Sequence, residues 1–169
     1  VEPALQVDNL KLDGNTLSST NTNGPLILNA NGTGALQADA GGNARGAYAV
    51  DLQRARSDVA QVASGGYSTI SGGVFNCASL IYSTVSGGRN NCASGTISTV
   101  SGGQANSASG NNSTVSGGYC NITNARHSTI NGGYRNIIQS PTNECCSRGA
   151  TIGGGVGHNS SGGTFNNTT

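Results

Sequence analysis

From residue 68 onward, single apolar residues stand inside runs of small polar ones and return at a fixed interval. A Ser-Thr-Val/Ile triplet starts at Ser68, Ser83, Ser98, Ser113 and Ser128, each 15 residues after the last. One apolar side chain between polar neighbours is the pattern of a half-buried strand. If Val85 points inward, Thr84 and Ser86 point outward, because side chains alternate across a strand. Gly-Gly follows every triplet but one residue later, at Gly72-Gly73, Gly87-Gly88, Gly102-Gly103, Gly117-Gly118 and Gly132-Gly133. Asn stands three residues beyond each pair, at Asn76, Asn91, Asn106, Asn121 and Asn136, and Ala follows at Ala78, Ala93 and Ala108. Such a unit predicts a strand of about four residues, a tight turn and a second short strand around Ala-Ser. One unit closes one coil, and stacked coils pair strand on strand about 4.8 Å apart. The predicted core column is Val85, Val100, Val115, Ile130 and Ile152.

The last of these is displaced. Ala150-Thr151-Ile152 and Gly153-Gly154-Gly155 restore the pattern 22 residues after the Ser128 triplet instead of 15. The surplus falls within 137–149, which holds Pro141, Glu144, Cys145, Cys146 and Arg148. Insertions in solenoids emerge as loops from one face, so this segment is the foremost recognition loop, or else a structural stopper. Upstream, Leu5, Val7, Leu10 and Leu12 alternate with polar residues, Asp13-Gly14 signals a turn, and Pro25 precedes a Leu26-Ile27-Leu28 strand that Asn31-Gly32-Thr33-Gly34 ends. Residues 44–62 differ again, gathering Arg45, Asp51, Arg54, Arg56 and Asp58. They read as a short helix or neck carrying interchain salt bridges, or as a solvated connector. The chain divides into an N-terminal β-shaft (1–43), a neck (44–62) and a β-roll (63–169).

Composition narrows the function classes. Gly is 28 of 169 residues, charged residues are 9% and aromatics 4%. Periodic Gly argues for repeated turns and against a disordered linker. Eight Lys and Arg against seven acids leave no basic surface for nucleic acid. No apolar run is long enough to span a membrane. The chain opens on Val1 without Met, which reads as a segment of something longer. A helical reading fails because Gly pairs at every period cost about 1 kcal/mol per Gly. One coil, residues 98–112, contains only Val100, Ala105 and Ala108 as apolar residues. So thin a core must repay the entropy of ordering the whole coil, and this predicts further burial between chains in a homotrimer.

Candidate chemistry is sparse. The Asn column reads as a structural ladder whose side chains bond one another and cap the turns. Cys77 and Cys92 share one repeat position, close enough for a disulfide, and stand equally well as a reduced ladder. Five Cys leave one unpaired within a chain, and Cys145-Cys146 could pair with Cys120 or with another chain. A zinc site lacks CxxC pairs and has only His127 and His158 to draw on. Those two His have no matching base and orienting group, and Glu144 is the only acid in the repeat region, so the chain reads as a non-enzyme without cofactor or metal. Outward Thr69/Ser71, Thr84/Ser86, Thr99/Ser101 and Thr114/Ser116 form two columns, the arrangement an ice-binding face uses, although the second column wants Thr and drifts to Asn131 and Gly153. Tyr67, Tyr82, Tyr119 and Tyr134 with Arg89, Arg126 and Arg135 offer weak repeated contacts to glycans. The recognition candidates are Tyr119, Tyr134, Arg135, Glu144 and Arg148. Sequons stand at Asn31, Asn111, Asn112, Asn121, Asn159, Asn166 and Asn167.

The unit STVSGGxxNxASGxx resembles the repeats of YadA-like head domains, the parallel β-rolls of trimeric autotransporter adhesins, which also occur in phage and large-virus fibre proteins. The resemblance covers roughly residues 63–169, and the family's usual coil is slightly shorter with a different central motif. It implies an all-β, left-handed parallel β-roll or solenoid with one coil per repeat and three chains per head. The stretch Leu5-Gln-Val-Asp-Asn-Leu-Lys-Leu-Asp-Gly-Asn15, with the following Ser-Thr-Asn-Thr-Asn-Gly-Pro-Leu-Ile-Leu, is similar to phage tail-fibre segments and implies a short β-shaft before the roll. The expected function is a structural and adhesive segment of a homotrimeric virion tail or surface fibre that attaches to a host glycan or protein receptor. The alternatives are an ice-binding solenoid and a passive filament of a cell surface.

Overall fold

The computed structural model describes residues 10–13, 16–19, 32–39, 41–139 and 149–161. The strand expected at 26–28 lies outside them, as do Glu144, Cys145, Cys146 and Arg148. β1 (Leu10–Asp13) and β2 (Thr16–Ser19) pair antiparallel, with Leu12 opposite Leu17; Gly14 of the turn expected at Asp13-Gly14 lies outside the described residues.

The rest is a parallel β-solenoid without helix among the described residues. One side is an eight-stranded sheet: β3 (Leu36–Gln37), β4 (Val50–Asp51), β5 (Thr69–Ile70), β7 (Thr84–Val85), β9 (Thr99–Val100), β11 (Thr114–Val115), β13 (Thr129–Ile130) and β15 (Thr151–Ile152). A second side has six strands: β6 (Cys77–Ala78), β8 (Cys92–Ala93), β10 (Ser107–Ala108), β12 (Ile122–Thr123), β14 (Ile137–Gln139) and β16 (Asn159–Ser161). Single parallel bridges Val74–Arg89–Gln104–Tyr119–Tyr134–Val156 make a third side. Register follows the repeat: Ile70, Val85, Val100, Val115, Ile130 and Ile152 lie on successive rungs. The step from Ile130 to Ile152 keeps register despite the insertion.

The solenoid strands are two residues long, three in β14 and β16, where about four were expected. The coil's corners explain this. After Ser71 the chain turns at Gly72 (φ 156°) and Gly73 (φ 79°), and it turns again at Phe75 (φ 62°) and Tyr82 (φ 60°). Three sides and three corners share fifteen residues, so each side keeps only a pair in ladder geometry. The later corners repeat in every coil, at Asn90, Ala105, Cys120 and Arg135 in one column and at Ile97, Asn112 and His127 in the other, all with φ near 55°. Left-handed backbone costs an L-residue roughly 1–2 kcal/mol, and least for Asn. Ala105→Asn, which copies Asn90 one coil earlier, is therefore expected to stabilise the fold by about 1 kcal/mol, read as a higher urea midpoint at unchanged m-value.

The core is a two-column zipper. Val100 and its homologues face Ala63, Ala78, Ala93, Ala108, Thr123 and Ile138, and all of these are buried. Small Ala opposite Val sets a narrow interior, worth about 1.5–3 kcal/mol for each buried Val. The larger contribution comes from the backbone. In coil 98–112, the N–H groups of Thr99, Ser101, Gln104, Ser107 and Ser109 donate forward to Ser113, Val115, Gly118, Asn121 and Thr123. Those of Ala105 and Asn112 donate back to Arg89 and Thr96. Nearly every residue thus ties its coil to a neighbour.

The ladder extends N-terminal of residue 63, where a separate roll was expected to begin. β4 pairs with β5 and β3 with β4, so residues 44–62 form a coil and not a helix. Three of their charges, Arg45, Asp51 and Arg56, pair within the chain. Arg45 and Arg56 hold the buried Asp51 at 3.0 and 3.2 Å, and Arg56 also reaches Asp39 at 2.6 Å.

Candidate recognition faces and the columns beneath them

Three columns carry the polar chemistry, and the register fixes each. The first is internal. Asn106 is buried, and its N–H donates to Asn91 Oδ1 at 3.0 Å. Its Nδ2 donates to the carbonyls of Gly102 and Gly118, both at 2.9 Å. Its Oδ1 accepts the N–H of Asn121 at 2.9 Å. Asn76, Asn91, Asn121 and Asn136 repeat the scheme. The bonds run from side chain to backbone and not between amides, so every side-chain atom is committed inside the coil. Nothing remains to meet a ligand.

The column has unlike ends. At one end Gln53 does the work of Asn: its Oε1 accepts the Asn76 N–H at 2.8 Å, and its Nε2 donates to the carbonyls of Gln61 and Asn76. Asp51 stands directly under Ile70 in the core column, fully buried. Besides its two Arg partners it accepts the Ala63 N–H at 3.3 Å. Removing one partner of a buried pair leaves a charge uncompensated, so this cluster is a polar plug that ends the apolar column. The neighbouring Asp39 carboxyl is held below the ordinary carboxylate range, first by the Gly41 N–H and then by Arg56, against some burial. Its contribution is present at neutral pH and fades as pH falls through that lowered value. At the other end, His158 takes the Asn position and donates its N–H to Asn136 Oδ1 at 3.0 Å.

The second column faces out. Thr69, Thr84, Thr99, Thr114, Thr129 and Thr151 are in register, with Ser71, Ser86, Ser101, Ser116, Asn131 and Gly153 exposed two residues further on. The Thr column and four of the six outer positions carry hydroxyls, one rung above the next.

The third group consists of stacked aromatics. Tyr48, Tyr67 and Tyr82 stack on one edge with centroids 4.8 and 5.4 Å apart, each about half exposed. Leu80 and Ile81 lie exposed beside them. Tyr119 and Tyr134, bridge partners on the third side, stack at 5.5 Å and 8°. Arg135 lies over Tyr134 at 5.1 Å, as Arg89 lies over Phe75 at 5.7 Å. Stacked rings cover each other's faces, so they offer edges and hydroxyls to the solvent. The structure therefore brings Tyr119, Tyr134 and Arg135 into one exposed patch, while Glu144 and Arg148 fall outside the described residues. Cys120, next to Tyr119, hydrogen-bonds with its phenol and pushes it above its ordinary range.

Cys77 and Cys92 lie opposite each other in β6 and β8, and both thiols are free. The hydrogen bond between them draws Cys92 down to about 7, against burial and with help from Ser94, and pushes Cys77 up. The sequons sort by burial. Asn121 is buried with its amide committed to two carbonyls, whereas Asn112 is exposed on a corner.

Two features escaped the sequence. Tyr48 and the Asp51–Gln53 plug belong to a coil whose step to the next rung is longer than 15 residues, so the period does not reveal it. Aligning Ala47-Tyr48-Ala49-Val50-Asp51 with Gly66-Tyr67-Ser68-Thr69-Ile70 exposes both. Among the described residues, no group of three or more His, Cys, Asp or Glu side chains could hold a metal, and no helix is long and apolar enough to cross a membrane. No family model matches the chain, and no curated protein matches it significantly.

Proposed function

We propose that this chain is a rigid segment of a homotrimeric fibre, a virion tail or surface fibre, that projects and presents an attachment face to a host-surface glycan or protein. The observation that carries the reading is the unbroken ladder from β3 to β15, a stiff rod whose outer faces repeat the same groups at each rung. A left-handed winding is part of the proposal. Three chains follow from economy of burial. The interior of each coil is a Val–Ala zipper, while Tyr48, Tyr67, Tyr82, Leu80 and Ile81 form an apolar edge that a single chain leaves in water. Attachment follows from repetition. Contacts by Tyr119, Tyr134 and Arg135 are individually weak, and three linked copies multiply them by avidity. The loop with Glu144 and Arg148 would add the specific contact. In sedimentation equilibrium at micromolar concentration, the full chain is expected at three times its monomer mass and to bind host cells or a glycan array. A monomer mass would remove the fibre, and a trimer silent on every surface would leave only a passive filament.

One observation favours a second reading, an ice-binding solenoid: the six-Thr column in register on one face. It predicts thermal hysteresis at millimolar protein, and freezing without hysteresis would discard it.

A further inference from the structure

In strands β6 and β8 two cysteines occupy the same position of their column, on adjacent rungs. Cys77 is the register partner of Cys92. The next rung has Ser107 in the same place, and Val62 precedes the Ala63 that bridges to Ala78 on the rung before. The two sulfurs are therefore an isolated pair on one outward face, half-buried, with Ser79 and Ser94 as neighbours along the strands. Parallel neighbours stand about 4.8 Å apart at Cα, inside the span of about 4.4–6.8 Å that disulfides occupy. That Cα spacing is compatible with a bond between them. Cys120 lies elsewhere, on a left-handed corner in another column.

We propose that Cys77 and Cys92 form a dithiol site that exchanges with small-molecule disulfides and closes into a covalent staple between adjacent coils. The order of events follows from the shared proton. The register sets the two thiols side by side, each able to share a proton with the other; the deprotonated member of the pair is the nucleophile, and Cys92 is the one held lower. It attacks one sulfur of the small disulfide. That S–S bond breaks, a mixed disulfide forms on Cys92, and one small thiolate leaves and takes a proton. Cys77 then loses its proton and attacks Cys92 Sγ. The Cys77–Cys92 bond forms and the second small thiol departs. Two protein thiols are oxidised and one small disulfide is reduced to two thiols. The staple closes a loop of one coil and restricts the unfolded chain more than the folded one. The inference is independent of the fibre reading, because it needs only the register of two rungs.

The peptide map makes the test direct. Cleavage after Arg56, Arg89 and Arg126 places Cys77 in 57–89 and Cys92 with Cys120 in 90–126, and cleavage after Arg135 and Arg148 separates Cys145 and Cys146 in 136–148. The folded full chain, incubated with oxidised glutathione and quenched with an alkylating reagent, is expected to yield 57–89 joined to 90–126. The join must survive Cys120→Ser and disappear in Cys92→Ser. In Cys77→Ser the reaction stops halfway, and 90–126 carries one glutathione on Cys92. Ser occupies this position at Ser107, so the variants fold, which circular dichroism checks. The oxidised chain is also expected to melt about 6–12 °C higher than the reduced one. Full alkylation of both thiols after incubation, a join that persists in Cys92→Ser, or a join to 136–148 in its place would overturn the site. A cross-link with an unchanged melting temperature would overturn the staple.

Discussion

Gly103→Ala is expected to abolish the cooperative thermal transition of the repeat, or to lower its midpoint by more than 10 °C, roughly the effect of 4 kcal/mol or more in a chain of this size. Two costs meet at this residue. Its φ is +81°, where any Cβ is strained. A Cβ there would also stand 2.2 Å from the Gly118 carbonyl oxygen and 2.7 Å from Asn106 Nδ2. That carbonyl cannot retreat, because it accepts from both the Gln104 N–H and the Asn106 amide. The methyl group must therefore open the gap between two coils. Gly102→Ala is the internal control. Its φ of +154° also disfavours a side chain, but nothing lies within 4 Å of the new Cβ. It should cost about 1–3 kcal/mol from backbone strain alone. Equal losses in the two variants would mean that the coils are not packed as closely as the register demands.

Asn106→Ala should cost about 3 kcal/mol or more in urea unfolding at unchanged m-value. Deletion of the amide leaves the Asn121 N–H, buried between coils, without its acceptor, and the Gly102 carbonyl without its donor. A buried orphan costs about 1–3 kcal/mol, and here there are two. Asn106→Asp separates the roles of the amide. It keeps the oxygen that receives the Asn121 N–H, yet it aims a second oxygen at the carbonyls of Gly102 and Gly118. Burial next to carbonyl oxygens favours the neutral acid, so the folded carboxyl titrates above its unfolded value. The deficit should be largest at neutral pH and should shrink as pH falls through that raised value, where a proton restores one donor. A deficit unchanged by acidification would show that the carboxylate is solvated and that the column is not sealed.

The fold was legible because one feature, the 15-residue interval, appears in several residue types at once. Val100 and Val115 mark the inward position, Gly103 and Gly118 the corner, and Asn106 and Asn121 the seam, and all agree in phase. The strand length was not legible, since the later corners use Phe75, Tyr82, Ile97 and Ala105, residue types that do not announce a left-handed backbone. Neighbouring coils impose it through bonds such as Ala105 N–H to the Arg89 carbonyl. The coil at 44–62 was hidden for the opposite reason. Its Arg45, Asp51 and Arg56 look like a solvated connector, and only pairing in space turns Asp51 into the floor of an apolar column. At the outer faces, types were legible and geometry was not. Tyr119, Tyr134 and Arg135 lie together, but the mutual stacking of the rings depends on register, and it changes what a ligand would meet.

Near-identical rungs carry a hazard of mispairing. If one half of the solenoid slid past the other by a single coil, Val would still meet Val, Thr would meet Thr and each Asn would find an amide hydrogen. The regular coils alone leave several alignments almost equal in energy. The odd ones break the tie: the charged Asp51 tolerates only the rung that brings Arg45 and Arg56, Gln53 reaches only Asn76, and the long step to Ile152 admits only Ile130 behind it. The irregular ends act as the zero mark of a ruler, and damage to Asp51 should give chains that are fully stacked yet out of phase.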